Sequence, residues 1–188
     1  MRNPFRAGAP VDWLVVGLGN PGARYARTPH NVGFAVAEEL ARRWELPRPR
    51  QRYAGLYADG RAGGPRVAVL RPQTYMNDAG RSVGPARGSL RLDLDRVVVI
   101  HDEIDLPFGE VRTRVGGGLA GHNGLRSVRQ ALGSADFTRV RVGVGRPDST
   151  DPDDVAGYVL GRWRQPGEEV RALVERAADA AAAIVEGE

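Results

Sequence analysis

A small set of histidine, carboxylate and amide side chains gives this chain the means to hydrolyse a bond. Of its three histidines, His30 lies in a polar stretch where it has no evident structural role. A histidine near its unperturbed pKa can deprotonate water, and a carboxylate such as Asp102 can fix its tautomer. Amide side chains can hydrogen-bond an oxyanion without adding charge; the candidates are Asn20, Asn77 and Asn123. This set favours water attack on an activated acyl group, an ester more readily than an amide.

The elements that must position these residues form an α/β pattern. Short apolar segments alternate with helical periodicity, which predicts one α/β domain with a mixed sheet flanked by helices. The predicted strands are 13–18, 52–58, 66–70, 96–100, 111–115, 138–144 and a short last strand at 155–160. The predicted helices are 34–44, 77–90, 123–132 and a terminal helix over 170–184. We expect residues 1–12 to be a flexible N-terminal extension and 13–188 to be the domain.

The candidate side chains follow predicted strands. In open α/β sheets, sites form just beyond the carboxyl ends of the strands. The strands lead in chain order to Asn20, to Asn77, to Asp102, and through a glycine-rich loop to His122 and Asn123. We therefore expect these side chains to meet, with His30, at one edge of the sheet.

Simpler roles for the same residues remain open. Asn77 and Asn123 precede predicted helices, and Asn is a preferred N-cap. Asp102 could form a turn or a cap. The glycines at 116–118 could form a flexible loop, although their density suggests that something approaches the backbone closely. His101 follows an apolar run and is expected to be buried and structural.

Composition narrows the class of protein. The absence of cysteine excludes disulfides and cysteine-based metal sites. All 27 basic residues are arginine, and a net charge of +4 with a pI near 10.1 suggests an anionic partner; solvated arginine faces are the open alternative. The start of the chain lacks the apolar core of a signal peptide, and no apolar run approaches a membrane span. We expect a cytoplasmic enzyme or binding protein.

Two other functions compete for the same residues. Segment 17–22 has the Gly-x-Gly-x-x-Gly spacing of a dinucleotide-binding turn, which needs a helix starting within the glycines and an acid about 20 residues on. Pro21 interrupts this turn, and the acids at that distance, Glu38 and Glu39, lie inside the predicted helix 34–44. A metal hydrolase using His and Asp ligands is the other alternative, although no His-Glu-x-x-His spacing supports it.

Several longer motifs occur in a defined order. They are Gly17-Leu18-Gly19-Asn20-Pro21-Gly22 followed by Tyr25, Thr28-x-His30-Asn31-x-Gly33, Pro72-x-Thr74-Tyr75-Met76-Asn77, His101-Asp102-Glu103-x-Asp105-Leu106-Pro107, and Gly116-Gly117-Gly118-x-x-Gly121-His122-Asn123-Gly124-Leu125. Together they resemble the motifs of bacterial peptidyl-tRNA hydrolases over about residues 13–161. The resemblance implies a monomeric, cytoplasmic, phosphorylase/hydrolase-like α/β domain. It also implies metal-independent hydrolysis of the ester between a peptide and the 3′ ribose of tRNA, which recycles prematurely released peptidyl-tRNA without a cofactor.

The resemblance also implies roles for individual residues. The catalytic histidine corresponds to His30 and its partnering aspartate to Asp102. The substrate-binding positions correspond to Asn20, Tyr25, Tyr75, Met76, Asn77, His122 and Asn123; Tyr25 would lie beside the pocket, Met76 would line it and His122 would stand at its edge. The basic residues that bind the tRNA acceptor end correspond to Arg112, Arg114 and Arg141.

One alternative of another class has the same fold. Relatives of this kind act as non-catalytic RNA-binding splicing cofactors. Such a protein has no need of a catalytic set, whereas His30, Asp102 and the asparagines are all present here. The resemblance therefore favours the enzyme.

Overall fold

The computed structural model describes residues 9–187, and its strands form one seven-stranded sheet. In chain order the strands are β1 (Trp13–Gly17), β2 (Arg50–Arg52), β3 (Gly55–Arg61), β4 (Arg66–Pro72), β5 (Val97–Glu103), β6 (Val111–Val115) and β7 (Thr138–Gly143). Their spatial order is β2-β3-β4-β1-β5-β7-β6. The pairs β1–β4, β1–β5 and β5–β7 are parallel, and β2–β3, β3–β4 and β6–β7 are antiparallel. The predicted mixed sheet is confirmed.

Helices cover both faces of the sheet. They are α1 (Val32–Arg43), α2 (Gly80–Leu90), α3 (Asn123–Leu132), α4 (Pro152–Leu160) and α5 (Gly167–Glu186). On β5, Val98 and Ile100 belong to the apolar cluster with α1 and α5, whereas Val97 and Val99 belong to the cluster with α2 and α3. Because both faces of β5 are buried, this strand is apolar from Val97 to Ile100, as expected for a central parallel strand.

The parallel strands fix where a site can form. Since β1, β4, β5 and β7 run in one direction, their carboxyl ends lie at one edge of the sheet. The residues that follow β1 and β4, and the last residues of β5, therefore meet there. Between residues 9 and 187, no helix combines the length and apolar character needed to cross a bilayer.

The predicted strand at 155–160 is wrong, because this segment belongs to helix α4. Asp151 caps α4 by accepting a hydrogen bond from the Asp153 amide at 2.8 Å, and Pro152 occupies its first turn, where proline is tolerated. The helix starts before the apolar residues on which the prediction depended. The apolar residues of 155–160 therefore lie on one face of a helix rather than in a strand.

The predicted strand at 52–58 is divided in two. Strands β2 and β3 are joined by Tyr53 and Ala54, whose φ angles of 55° and 50° are left-handed. No glycine or asparagine signals this turn, so the sequence pattern did not reveal it. The predicted helix 77–90 likewise begins later, at Gly80, after a 3₁₀ turn over Met76–Asp78.

The start of the domain is held to the sheet. The Asp12 amide donates to the Arg66 carbonyl oxygen at 2.8 Å, and the Arg66 amide donates to the Asp12 carboxylate at 2.8 Å. Residues 1–8 of the predicted flexible extension lie outside the described residues. The flexibility of 1–12 stays a prediction.

Candidate active site

Asp102 lies at the centre of the site, between two histidines. It is the penultimate residue of β5, and its side chain is 3% exposed. Nδ1 of His30 lies 2.8 Å from Asp102 Oδ2, and Nε2 of His122 lies 2.8 Å from Asp102 Oδ1. The residues are far apart in sequence, so the fold assembles this cluster.

Each histidine is held by a different local structure. His30 lies in a 3₁₀ turn over Pro29–Asn31 that leads into α1. His122 is the N-cap of α3, where its Nδ1 accepts a hydrogen bond from the Leu125 amide at 3.2 Å. The predicted N-cap role of Asn123 is therefore wrong, since Asn123 is the first residue of α3 and His122 caps the helix.

These contacts determine the tautomers of the neutral rings. His122 accepts at Nδ1, so its proton is on Nε2 and is donated to Asp102. His30 donates its Nδ1 proton to the other oxygen of Asp102, which leaves Nε2 of His30 unprotonated. A neutral His30 with a free Nε2 lone pair has the form that a general base requires.

The electrostatics of the pair favour the same arrangement. Burial lowers the pKa of His30, but the Asp102 charge and the hydrogen bond to it together raise the pKa above the ordinary histidine value. Burial raises the pKa of Asp102, but the charges that His30 and His122 carry when protonated, and their hydrogen bonds, hold it well below its usual range. Asp102 is therefore an anion at neutral pH and stabilises a proton on His30.

His101 lies beside this cluster without joining it. It is 1% exposed, and its Nδ1 donates to the Asp102 carbonyl oxygen at 2.8 Å. Burial, helped by the nearby His122, lowers the pKa of His101 to about 3, so this ring is neutral at physiological pH. The prediction that His101 is buried is confirmed.

Asn20 is fixed by Asn31, a contact that the sequence did not reveal. The Asn20 amide donates to Asn31 Oδ1 at 2.8 Å, and Asn31 Nδ2 donates to the Asn20 carbonyl oxygen at 2.9 Å. Asn20 Oδ1 accepts from the Met76 amide at 2.7 Å. Within residues 9–187, Asn20 Nδ2 has no partner, so its N–H groups are free to donate to a ligand.

The remaining predicted substrate residues lie in the segments that follow β1 and β4, and they do not line the cavity that contains His30 and Asp102. Asn77 is exposed in the 3₁₀ turn and is not an N-cap, because Ala79 precedes α2. Tyr75 is 63% exposed and Met76 is 4% exposed. A Cβ on Gly124 would overlap Met76 Sδ, so Met76 packs against the start of α3. The Tyr25 carbonyl oxygen accepts from the amide and hydroxyl of Thr28, which supports the loop before His30.

A cavity of about 470 Å³ opens beside the histidines. Its walls include His30, Asp102, His122 and Asn123 on one side and residues of α4 on the other. Pro152, Val155 and Val159 make the α4 side largely apolar. The cavity can therefore place an uncharged acyl group and a water molecule next to His30 Nε2.

The three predicted tRNA-binding arginines lie apart from this cavity. Arg112 and Arg114 are exposed on the edge strand β6, and Arg112 is opposite Arg141 of β7. Arg141 Nε donates to Glu103 Oε1 at 2.9 Å, and Glu103 is 6% exposed. Because cross-strand partners share a face, these arginines form one basic surface at the β6 edge.

The glycine-rich loop is approached by Arg114. Gly117 has φ 89°, and a Cβ on it would overlap the Arg114 guanidinium. The density of glycines led us to expect a close approach to the backbone of this loop. The group that approaches it is the side chain of Arg114, from the same chain.

The dinucleotide alternative is wrong. A Cβ on Gly17 would overlap the Gly33 carbonyl, and a Cβ on Gly19 would lie 2.7 Å from the Phe34 ring. These glycines let β1 pack against α1, which begins only at Val32. Only a 3₁₀ turn over Ala23–Tyr25 follows the glycines, and no α-helix starts within residues 17–22 to receive a pyrophosphate.

His30, Asp102 and His122 are also the residues that could hold a metal ion, since their ligand atoms lie within 4.8 Å of one another. Both Asp102 oxygens already accept histidine protons. An ion would have to replace both protons, so the observed hydrogen bonds suit a proton-transfer site better than a metal site.

The chain is similar over most of its length to proteins of one family. The model of the family described as peptidyl-tRNA hydrolase matches residues 14–188. The peptidyl-tRNA hydrolase of Syntrophotalea carbinolica is 56% identical over 150 residues, which cover 80% of this chain and 78% of that protein. That of Rhodopseudomonas palustris is 46% identical over 175 residues, covering 93% and 86% of the two chains.

The fold is also similar to a solved structure. The crystal structure of peptidyl-tRNA hydrolase from Acinetobacter baumannii matches with a TM-score of 0.83 and 37% identity, covering 96% of this chain and 92% of that one. The similarity therefore includes the arrangement of the sheet and helices as well as the motifs.

Proposed function

The chain belongs to the peptidyl-tRNA hydrolase family, and from this premise we propose that His30 is the base with which it cleaves peptidyl-tRNA. As a family member it is an ester hydrolase that acts on peptidyl-tRNA. The observation that carries the proposal for His30 is its 2.8 Å hydrogen bond to Asp102. That bond leaves Nε2 free at the wall of a cavity.

The reaction begins with a proton transfer. Nε2 of His30 takes a proton from water as the water oxygen bonds to the ester carbonyl carbon, and Asp102 stabilises the imidazolium formed. The tetrahedral intermediate then collapses, and the bond to the 3′ ribose oxygen breaks. His30 returns its proton to that oxygen, so the products are a tRNA 3′ hydroxyl and a peptide carboxylic acid, which then releases its proton to solvent.

Amide groups bind the charge that develops on the carbonyl oxygen. Asn20 presents free Nδ2 protons because its Oδ1 is occupied by the Met76 amide. Asn123 lies in the wall of the cavity with His30. A side-chain amide held in position by other bonds needs little reorganisation as the oxyanion forms.

The same amides account for a preference for a blocked α-nitrogen. The neutral amide of a peptide can donate to a side-chain carbonyl such as that of Asn123, or to the second lone pair of Asn20 Oδ1. A free ammonium would have to be desolvated beside groups that do not neutralise it. Aminoacyl-tRNA, whose α-nitrogen is a free ammonium, is therefore not hydrolysed.

The basic surface at the β6 edge is where we place the acceptor end of the tRNA. Arg112, Arg114 and Arg141 share one face, and the buried Glu103 holds Arg141 in place. Arginine suits phosphate because its fork of donors matches the phosphate oxygens. We infer that the protein recycles tRNA in the cytoplasm as a monomer; light scattering with and without tRNA would test the last point.

The experiment is a metal-free release assay. N-acetyl-aminoacyl-tRNA should be cleaved in EDTA, unblocked aminoacyl-tRNA should not, and His30→Ala should lower the rate by about 10²–10⁴-fold. Retained tRNA binding without cleavage in the wild type would instead favour the RNA-binding alternative, which the family comparisons do not support. Loss of activity in EDTA, restored by a divalent metal, would contradict the metal-free mechanism.

A further inference from the structure

A second cavity, which is positively charged, lies at the β2 edge of the sheet, opposite the β6 edge where the proposed tRNA surface lies. It has a volume of about 460 Å³ and lies between the end of β2, the start of β3 and the start of α2. Arg52 and Arg81 contribute guanidinium groups, and Gln51 and Gln73 contribute amides. No aspartate or glutamate lines it, so the cavity carries only positive charge.

The two arginines are free to bind a ligand. Among residues 9–187, no carboxylate lies within 4.0 Å of either guanidinium, whereas the neighbouring Arg50, Arg66 and Arg71 each pair with an acid. Arg52 lies over the Tyr53 ring, with its Cζ 4.7 Å from the ring centroid. Stacking of this kind orients the guanidinium without using its hydrogen-bond donors.

A buried hydroxyl at the same place also lacks a partner. Thr74 lines the cavity and is 4% exposed, yet its Oγ1 makes no hydrogen bond within the described residues. A buried hydroxyl without a partner costs free energy. A ligand oxygen bound between the arginines would satisfy it once the Thr74 side chain turns its hydroxyl toward the cavity.

A smaller cleft lies between Asn20 and the charged cavity. This cleft, of about 200 Å³, runs from Asn20 and Asn31 along Phe34. Leu56 and Gln73 line both this cleft and the charged cavity. A chain that leaves Asn20 in this direction therefore reaches Arg52 and Arg81.

The topology decides which part of the substrate takes this path. The reacting groups follow β1 and end β5, in the middle of the sheet, and the proposed tRNA surface lies on β7 and β6. Arg52 ends β2, at the opposite edge of the sheet. The tRNA and the peptide extend in opposite directions from the ester. Since the tRNA is placed on the side of β7 and β6, the peptide extends toward β4, β3 and β2.

We propose that the cavity formed by Arg52, Arg81 and Thr74 binds the carboxylate of an acidic side chain in the peptide. The proposal rests on the function proposed above. From β1 to β2 is three strand spacings, about 14 Å, which an extended peptide covers in about four residues. An Asp or Glu about four residues before the ester is therefore recognised.

The test uses peptidyl-tRNAs that share one tRNA and carry N-acetylated peptides. A single Glu, or Gln as its neutral counterpart, is moved from the second to the sixth residue before the ester. For the wild type, the Glu/Gln ratio of kcat/KM should reach about three- to tenfold near the fourth residue. The ratio should fall as salt is raised, because the site is open to solvent.

Variants assign the effect to the cavity. Arg52→Gln and Arg81→Gln should each bring the ratio close to one, and Thr74→Val should lower it. Arg171→Gln, an exposed arginine of α5, should leave it unchanged. N-acetyl-aminoacyl-tRNA is too short to reach the cavity, so Arg52→Gln should cleave it at the wild-type rate.

Two outcomes would overturn the proposal. A wild-type ratio near one at every position would show that no carboxylate is recognised. An equal loss for short and long substrates in Arg52→Gln and Arg81→Gln would place a tRNA phosphate in the cavity instead. Failure of the wild type to cleave N-acetyl-aminoacyl-tRNA would be a failure of the proposed function itself and is separately visible.

Discussion

The side-chain amide of Asn31 bonds both backbone groups of Asn20, with distances of 2.8 and 2.9 Å. Asn20 lies beyond the end of β1, where no neighbouring strand among residues 9–187 bonds its backbone. The Asn31 side chain makes these hydrogen bonds instead. Asn20 is 8% exposed, so water cannot fully substitute for these bonds. The position of a substrate-binding residue therefore depends on a neighbour that contributes no chemistry of its own.

Asn31→Ala should lower both stability and turnover. It leaves a buried amide and a buried carbonyl of Asn20 without partners, at a cost of about 1–3 kcal/mol for each group. Urea unfolding measures the free energy, and the kcat of the folded variant measures the displacement of Asn20. Asn77→Ala, at an exposed position nearby, is the control for stability; a stable Asn31→Ala enzyme with normal kcat would contradict this role.

Asp102→Asn should shift the acid limb of the pH–rate profile to lower pH. The charge of Asp102 raises the pKa of His30 against the effect of burial, so removing the charge leaves burial to lower the pKa. His30 then stays unprotonated at a lower pH than in the wild type. Turnover at neutral pH should also fall by about 10²–10⁴-fold, because the imidazolium loses its anion.

The measurement is kcat/KM for N-acetyl-aminoacyl-tRNA between pH 5 and 9. In the wild type, the midpoint of the acid limb should lie above the ordinary histidine pKa. An unchanged midpoint in Asp102→Asn would mean that a group other than His30 titrates in the acid limb of the profile.

His122→Ala should shift the same limb in the opposite direction. His122 donates to Oδ1 of Asp102, and without this donor the carboxylate charge acts more strongly on His30. The pKa of His30 then rises, and activity is lost at a higher pH on the acid side. Comparing the pH–rate profiles of His122→Ala and Asp102→Asn separates the loss of the His122 hydrogen bond from the loss of the Asp102 charge. A shift of the His122→Ala profile to lower pH would contradict a carboxylate shared by the two histidines.

Gly117→Ala should weaken the binding of tRNA more than it slows the chemistry. A Cβ at this position would overlap the Arg114 guanidinium, and the φ of 89° is unfavourable for alanine. KM for peptidyl-tRNA should therefore rise several-fold while kcat changes little. Gly118→Ala is the matched control, because a Cβ there meets no atom within 4 Å; equal effects of both substitutions would contradict the role of Arg114.

The central part of the fold is predictable from sequence because burial dictates it. The run from Val97 to Ile100 is buried on both sides, and its β-branched residues leave few alternatives to a central strand. The short strand β2 has only exposed residues and no apolar pattern. The segment 155–160 carries apolar residues that suit either a strand or one face of a helix, and the cap at Asp151 decides between them.

The members of the candidate site could be predicted one by one, but not their contacts. The sequence indicates that His30 and Asp102 reach one edge of the sheet, because that follows from parallel strands. It does not indicate that His122 caps α3 and shares the same carboxylate, since histidine is not a preferred cap. Nor does it reveal Asn31, whose side chain acts on a backbone eleven residues away.

The three histidines of the chain all lie at the active site, with ring centroids 5.4 Å apart for His30 and His122 and 5.2 Å apart for His101 and His122. The imidazole region of an NMR spectrum is therefore a spectrum of the active site alone, without background from elsewhere in the molecule. His101 should give a resonance that does not move at neutral pH, because its pKa is about 3, and this resonance is an internal standard for shifts of the two other rings. Substrate analogues can thus be screened on the unmodified protein by observing three signals.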